Sequence, residues 1–507
     1  MFSHLQDINS TGYLWMFFFG GVLDVLLSSG ITFGWAGIVY IFKMELFFID
    51  LCPLSIQQSA LTSLLDNTSN KTILQERSRF KHGFPGCIEQ DSRLQLIFTV
   101  AMFVQSVTLF FSGILVDRYG PKMIRGIGFA IYMFGCFGLA FMNRDNANLL
   151  FLVFTLIMIG SQFLVMAVYQ STNIIFRRFR GAATSIMFGA FDSSAVVLLL
   201  FKIIYQSGFS LKLITFCYCI IVFIISNLMT IVLIPPQHVL RKWTQEEMES
   251  LSEKSRISET SLEHSKNEKT PLVPAEKMKK KDSLRSHICS PFYILHVFYL
   301  SVFQLKLWYY VGTLPDDLTQ LSNYDNEKVS DYIDIFGYCQ FGGLLVSPVL
   351  AFILDKDKLL GKSSKTQGPV SQFERTRNCV PVFAVTTILC IIFCIANSLP
   401  VLKIQVLSFL VYMIVRAFLY GSHGVFIGAA FPAKDYGTLF GIGMLVAAAT
   451  GALQYPLFEI RSRLMGNQPL GVQLIIFGLV ICACVHPIHV YWRTRDTEKN
   501  RQRFETS

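Results

Sequence analysis

The sequence predicts an all-α membrane protein, with twelve transmembrane helices in two pseudo-symmetric six-helix bundles. Three observations carry that expectation. Of 507 residues, 52% are hydrophobic and only 15% charged, with a mean hydropathy of +0.47; a soluble chain holds nearer a quarter charged residues. The apolar residues fall in repeated runs of about 20, the length that crosses a bilayer as a helix. The Lys and Arg residues collect in alternate loops between those runs, which is the signature of membrane topology.

In chain order the runs cover 14–42, 93–116, 123–141, 149–172, 182–205 and 212–234. After an interruption they resume at 291–313, 329–354, 379–397, 404–428, 438–459 and 470–492. The first run is too long for a cleaved signal, so it reads as a spanning helix. The interruption, 235–290, is polar and mixed in charge with no apolar face, and reads as a disordered linker between the halves. The chain therefore divides into an N-terminal bundle (1–234), the linker (235–290), a C-terminal bundle (291–492) and a tail (493–507).

One set of alternate loops holds Arg118, Lys122 and Arg125, then Arg177, Arg178 and Arg180, then Lys279, Lys280 and Lys281 of the linker. The same set continues with Lys356 to Lys365 and ends in the basic tail from Arg493. The opposite set is sparse, so both termini and the linker are expected in the cytoplasm. The long loop 43–92 is then extracellular. Two sequons in it, at Asn67 and Asn70, are glycosylation candidates that need that placement. Cys52 and Cys87 share the loop, where they are either a disulfide or two unpaired thiols. Most of the other cysteines sit in apolar runs as small hydrophobes, and no pair has metal-ligand spacing, so neither a metal site nor a cofactor is expected.

The stretch "GILVDRYGPKMIR" (113–125) concentrates charge between the second and third runs. Gly120 and Pro121 fit a very short turn between antiparallel helices. The bases satisfy the inside rule, and Asp117, at a helix end, can hold the positive N-terminus of a neighbouring helix. The second half carries an echo: Gly113 precedes Asp117 by four, as Ala351 precedes Asp355, and "FRRFRGAATS" corresponds to "FPAKDYGTLFG". Two related halves fit a transporter built from parallel repeats with its substrate at the midplane.

With twelve runs, a central linker and this half-repeat, the chain resembles the major facilitator superfamily. The resemblance implies that Asp117, Arg118, Gly120 and Arg125 form a conformational latch for the inward-closed state. The stretches 33–52, 189–211 and 416–442 are similar to the solute-carrier family of the equilibrative nucleobase transporter and the sodium-independent large neutral amino acid transporters. Within it, "GAFDSS" and "RAFLYGS" resemble the nucleobase branch. "DRYGPK" and "QLKLWYYVG" resemble the amino-acid branch, which has a base where Lys306 stands.

Ionisable residues at mid-membrane are costly and usually face a cavity or a partner. Asp24, Asp192, Lys306 and Arg416 lie near mid-span on four different runs, where they could neutralise one another or meet a substrate. Trp35, Gln162, Tyr169, Gln304, Trp308, Gln340, Tyr420 and His423 lie at similar depth and complete the candidate substrate site. A purine would use aromatic faces and amides; a zwitterionic amino acid would use a base and an acid. There is no P-loop, GxSxG, HExxH or dinucleotide turn, so an enzyme is not expected. The expected function is facilitated, sodium-independent transport of purine nucleobases (adenine, guanine, hypoxanthine). Large neutral amino acids are the alternative substrate, and a non-transporting receptor or scaffold is a further alternative. The expected partners are a small-molecule substrate and the bilayer, with no nucleic acid, and the expected location is the plasma membrane.

Overall fold

Apolar runs with no water to satisfy their backbone must close their hydrogen bonds internally, and the chain does so as helices. The structure, a computed structural model, describes residues 11–58 except 56, 87–176, 180–236, 239, 284–349 except 347, 376–431 except 378, and 436–506. The N-terminal half holds α1 (Thr11–Ser28), α2 (Trp35–Met44), α3 (Ile88–Tyr119), α4 (Pro121–Ala140), α5 (Leu150–Ile175), α6 (Arg180–Ser193), α7 (Val196–Gln206) and α8 (Leu211–Leu228). The C-terminal half holds α9 (Pro291–Leu321), α10 (Asn326–Phe341), α11 (Val380–Ser398), α12 (Gln405–Ala430), α13 (Tyr436–Gly451), α14 (Gln454–Leu464), α15 (Pro469–Ala483) and α16 (Val485–Thr506). No strand occurs among the described residues.

Among the described residues, ten helical spans are long and apolar enough to cross a membrane. The pair α1 and α2, bent by 51°, makes an eleventh. The eighth expected span, 329–354, is met by α10 and its continuation to Val349, after which the chain lies outside the described residues. Asn67, Asn70, Arg177, Arg178, Asp355 and nearly all of the linker also lie outside them, as does the side chain of Asp117.

Apolar exposure separates lipid-facing helices from central ones. The span containing α8 is 33% buried, and Ile220, Phe223, Ile224 and Leu228 project outward from it. The span of α9 is 83% buried. It touches α2, α3, α13, α14 and α15, so it stands at the middle of the molecule. The halves meet along α3 with α13 and α14, α2 with α9, α7 with α10, and α6 with α12.

Several turns follow directly from residue chemistry. Gly120 has φ +88°, a region closed to residues with a Cβ, and Pro121 opens α4 at its first turn, so the α3–α4 link needs no loop. A Cβ on Gly34 would lie 2.3 Å from the Ala195 carbonyl oxygen, so glycine lets α2 sit against α7. Asp325 caps α10 by accepting from the Glu327 and Lys328 amides. The hydrogen-bonded Lys328 ammonium holds its carboxyl below the usual carboxylate range. Cys52 and Cys87 are joined, with Cα atoms 5.6 Å apart, so the disulfide alternative is the one found. It closes a 35-residue separation at one end of the bundle.

Candidate functional site

Two spans break at their centres, and the breaks set the site. The first parts at Ser29 and Gly30 between α1 and α2; Ser161 Oγ on α5 donates to the freed Ser29 carbonyl (2.9 Å). The fifth parts at Ser194 and Ala195 between α6 and α7. There Arg416 of α12 reaches across from the other half. Its Nε lies 3.1 Å from Asp192 Oδ1, and its Nη2 donates to the Asp192 carbonyl. One guanidinium thus holds the side chain and the broken backbone of one residue, which a lysine's point charge would not match.

Aromatic faces surround this pair. The Arg416 guanidinium stands 4.3 Å above the Phe33 ring and 5.5 Å from Tyr412. Tyr412, Arg416 and Tyr420 follow at four-residue spacing, on one face of α12. Trp308 of α9 lies beside Tyr420 and is also the wall that a Cβ on Gly451 would strike. On α5, Tyr169 packs on Phe188 with ring centroids 4.6 Å apart and feels the Asp192 carboxylate. On the continuation of α10, a Cβ on Gly343 would lie 2.9 Å from Asp192 Cβ. Four helices from the two halves therefore converge on Asp192 and Arg416.

The same region is rich in unspent hydrogen-bonding capacity. Among the described residues, the following buried groups have no hydrogen-bond partner: Gln162 Nε2, Tyr169 Oη, Trp308 Nε1, Tyr412 Oη, Arg416 Nη1, and both polar atoms of Gln304 and of Gln340. Gln162 and Tyr169 share a face of α5 at seven-residue spacing, and Gln304 and Trp308 share a face of α9 at four. Buried polar groups normally find partners, so several that lack them on the helices of this seam point to a ligand or water that supplies them.

Five of the expected residues lie elsewhere. Asp24 and Arg125, expected in a substrate site and a latch respectively, form one ion pair (2.7 Å) inside the N-terminal half. Ser226 Oγ donates to Asp24 Oδ1 (2.5 Å), and Arg125 donates to Thr230 Oγ1 (2.9 Å) and the Leu164 carbonyl (3.0 Å). Both ions are therefore occupied, and Arg125 lies inside the bundle rather than in the turn. Trp35 packs among Phe42, Phe98 and Phe154, within the core of the same half. Lys306 points from α9 towards α11, with its Nζ 4.8 Å from the Phe393 ring, beside Cys390 and Cys394. Asp192 pairs with Arg416 instead, and Phe393 lies 6.0 Å from the Tyr412 ring, so Lys306 stands one aromatic ring away from the seam. His423 joins two histidines that sequence reading passed over: its Nδ1 is 2.9 Å from His296 Nε2, and His296 Nδ1 is 3.1 Å from His486 Nε2. Of the expected latch, Arg118 lies exposed over Tyr119, and Gly120 forms the turn described above.

Other residues missed by sequence reading join the halves. Lys202 of α7 reaches Asp334 of α10 (2.7 Å) and the Ser330 carbonyl (2.6 Å), and Gln206 donates to Ser330 Oγ (2.7 Å). Ser92 of α3 donates to Glu459 of α14, which also holds Arg463 (2.5 Å). Gln95 donates to Gln454 (3.2 Å), and Gln454 to Thr99 (2.9 Å). Between described residues, the polar links that join the halves run from the disulfide-bearing end to mid-span.

The chain's relatives agree with this architecture. Residues 87–498 match the family model of the Major Facilitator Superfamily. The chain is 30% identical over 493 residues to equilibrative nucleobase transporter 1 of Bos taurus, covering 95% of this chain and 96% of that protein. It is 25% identical over 546 residues to large neutral amino acids transporter small subunit 3 of Homo sapiens, covering 94% and 92%. A crystal structure of a mutant nucleoside transporter NupG matches with a TM-score of 0.54 at 12% identity, over 93% of this chain and all of that one. That last likeness concerns the fold alone. The chain belongs to the major facilitator superfamily, and is a multi-pass membrane transporter of small molecules rather than an enzyme.

Proposed function

We propose that this transporter carries purine nucleobases, adenine, guanine and hypoxanthine, by facilitated, sodium-independent alternating access. The observation that carries the reading is the central constellation: flat aromatic faces beside amides whose donors and acceptors lack partners. A purine is neutral, planar and edged with alternating donors and acceptors, so it would stack on Tyr412 or Trp308 and hydrogen-bond to Gln162, Gln304 and Gln340. The one ion pair at the centre, Asp192 with Arg416, is already neutralised, as suits an uncharged cargo. The relative at 30% identity, named for nucleobases, supports the same choice.

Large neutral amino acids are the second reading, favoured by one observation. Asp192 and Arg416 form a complementary pair that a zwitterion could open, its carboxylate on Arg416 and its ammonium on Asp192. The deciding experiment is uptake of labelled adenine and labelled leucine by one expressing line, each competed by the other, with sodium replaced by choline. Adenine uptake that survives the replacement is expected. Leucine uptake without adenine uptake overturns the choice of substrate, and collapse in choline overturns sodium independence.

In the cycle we assign the polar links at the disulfide end to an outer clasp that must open to admit substrate from that side. The 113–125 turn acts on the opposite side, where Asp117 would steady the inward-closed state. Asp117→Asn should then slow turnover while leaving equilibrium affinity near normal. The same reading puts both termini, the linker 235–290 and the tail 493–507 in the cytoplasm, the sequons Asn67 and Asn70 outside, and the protein in the plasma membrane.

A further inference from the structure

His296 on α9, His423 on α12 and His486 on α16 are each about 1% exposed, and they form one continuous hydrogen-bonded chain. Its end fixes its polarity. His423 Nε2 lies 3.3 Å from the Phe440 carbonyl oxygen, and a carbonyl can only accept, so that nitrogen carries a proton. In a neutral imidazole the other nitrogen is then an acceptor, so His423 Nδ1 accepts from His296 Nε2–H. By the same rule His296 Nδ1 accepts from His486 Nε2–H. All three rings thus take the Nε2–H form, and one lone pair is left over, on His486 Nδ1. That atom is buried and has no hydrogen-bond partner among the described residues.

The surroundings suit a cation that comes and goes. Phe426 stands 4.2 Å from the His296 ring, Phe440 4.6 Å from His423, and Phe383 4.8 Å from His486. Such faces attract a positive charge without fixing it as a carboxylate would. The titratable and charged groups around the chain are Tyr293 and Tyr299 of α9, Cys390 of α11, Cys484, and His489 and Arg493 of α16. None of these is a carboxylic acid. His489 lies one turn beyond His486, towards the basic tail, with a buried Nδ1 that also has no partner among the described residues.

We propose that the chain His486–His296–His423 is a proton-binding site of the C-terminal half, and that loading it makes the transport cycle respond to proton concentration on the tail side. A proton from water adds to His486 Nδ1. The His486 Nε2 proton passes to His296 Nδ1, and the His296 Nε2 proton passes to His423 Nδ1. One proton has entered, both hydrogen bonds between the rings are kept with their direction reversed, and the charge has moved to His423. There the imidazolium strengthens the hydrogen bond to the Phe440 carbonyl, since a charged donor binds about twice as strongly as a neutral one. Phe440 precedes Gly441, whose Cα position lies against Phe110 of α3: a Cβ there would come within 2.3 Å of that ring. The charge therefore acts on α13 where the two halves slide past each other.

The test uses the full-length protein in nanodiscs with 15N-labelled histidine, each signal being assigned by a single His→Gln variant. At neutral pH the three rings should show a protonated Nε2 and a bare Nδ1. On acidification through the imidazole range they should titrate together, and in H486Q the His296 and His423 signals should stop responding. A protonated Nδ1 on any of the three at neutral pH overturns the proposal. So does a wild type whose signals stay fixed, or a His296 that titrates unchanged in H486Q. If H486Q does not yield monodisperse protein, the wild-type tautomers and co-titration decide alone. In proteoliposomes, lowering tail-side pH from about 8 to about 5.5, across the imidazole range, should change the wild-type initial rate at least threefold and leave H486Q flat. A flat wild-type rate overturns the coupling. Because the titration needs no substrate, a failure of adenine uptake bears on the choice of cargo and leaves this test standing.

Discussion

The two halves solve the same problem with different chemistry. Each must bind three or four helices together in a core that excludes water. The N-terminal half does so with full charges: Asp24 of α1 and Arg125 of α4 pair at 2.7 Å, with Ser226, Thr230 and the Leu164 carbonyl filling the remaining positions. The C-terminal half does so with three histidines on α9, α12 and α16 in a single-file chain. The Asp–Arg pair, with its remaining positions filled, has one stable arrangement. An imidazole chain has at least two, with and without a proton, and they differ in where the charge lies. One half is thereby a fixed frame, and the other a body that can change its grip.

Breaking the frame should have the largest effect. Asp24→Asn leaves the Arg125 guanidinium buried without its counter-charge, a loss of about 3–5 kcal/mol. Folded yield and thermal stability in detergent should fall sharply at every pH. The double replacement Asp24→Leu with Arg125→Met removes both ions and should recover most of that stability, because an apolar pair of similar volume is often as stable as a buried ion pair. Failure of the double variant to recover would mean that the ions do more than hold the frame. The same comparison predicts that His296→Gln costs less stability than Asp24→Asn, since no uncompensated charge is left behind.

The next effect belongs to the seam. Arg416→Lys keeps the charge but loses the fork that holds both the carboxylate and the carbonyl of Asp192. Loss of a charged hydrogen bond costs about 1.5–3 kcal/mol, roughly tenfold or more in apparent affinity or rate. Initial uptake should drop accordingly, with surface expression little changed. If expression falls in step with uptake, Arg416 holds the fold and not the cycle. At the outer clasp, Glu459→Gln removes an ion pair whose Arg463 partner is 61% exposed. Its influence should be small and should shrink in high salt.

The fold was legible in the sequence because its cause is local. An apolar run of the right length is a spanning helix wherever it occurs, and the bases between runs mark the turns. The cost of mid-membrane charge at Asp192 and Arg416 was legible for the same reason, whereas Cys52 and Cys87 were legible only as two cysteines of one loop, their disulfide one of two alternatives. Partner choice was not. Asp24 lies 101 residues from Arg125, and only the packing of α8 against both α1 and α4 brings them together. Arg125 was read as a loop base because it follows Gly120 so closely, yet α4 begins at Pro121 and carries it inward. His423 looked solitary because His296 and His486 lie in other apolar runs, far from it in sequence. A usable signal existed: three histidines inside otherwise apolar spans carry the same penalty that drew attention to the acids.

The smallest expected effect is at Lys306, and it separates the two substrate readings most cleanly. The ammonium is fully buried and has no hydrogen-bond partner among the described residues. It faces the Phe393 ring on α11, and Phe393 in turn packs on Tyr412 beside the seam where Asp192 meets Arg416. A cation over an aromatic face gains about 0.5–2 kcal/mol, which does not exceed the several kcal/mol of desolvation that burying an ion costs. Lys306→Met, of similar length and without charge, should therefore leave stability unchanged or raise it. Adenine affinity should shift by less than about twofold, or about 0.4 kcal/mol. If Lys306 instead held a substrate carboxylate, the same change would weaken leucine transport about tenfold or more, the strength of a charged hydrogen bond. A concentration series of uptake in wild type and Lys306→Met, run for both labels, reads the difference directly. A tenfold rise in KM for either one would place that lysine at the cargo and move the centre of the site from the seam between the halves to the space between α9 and α11.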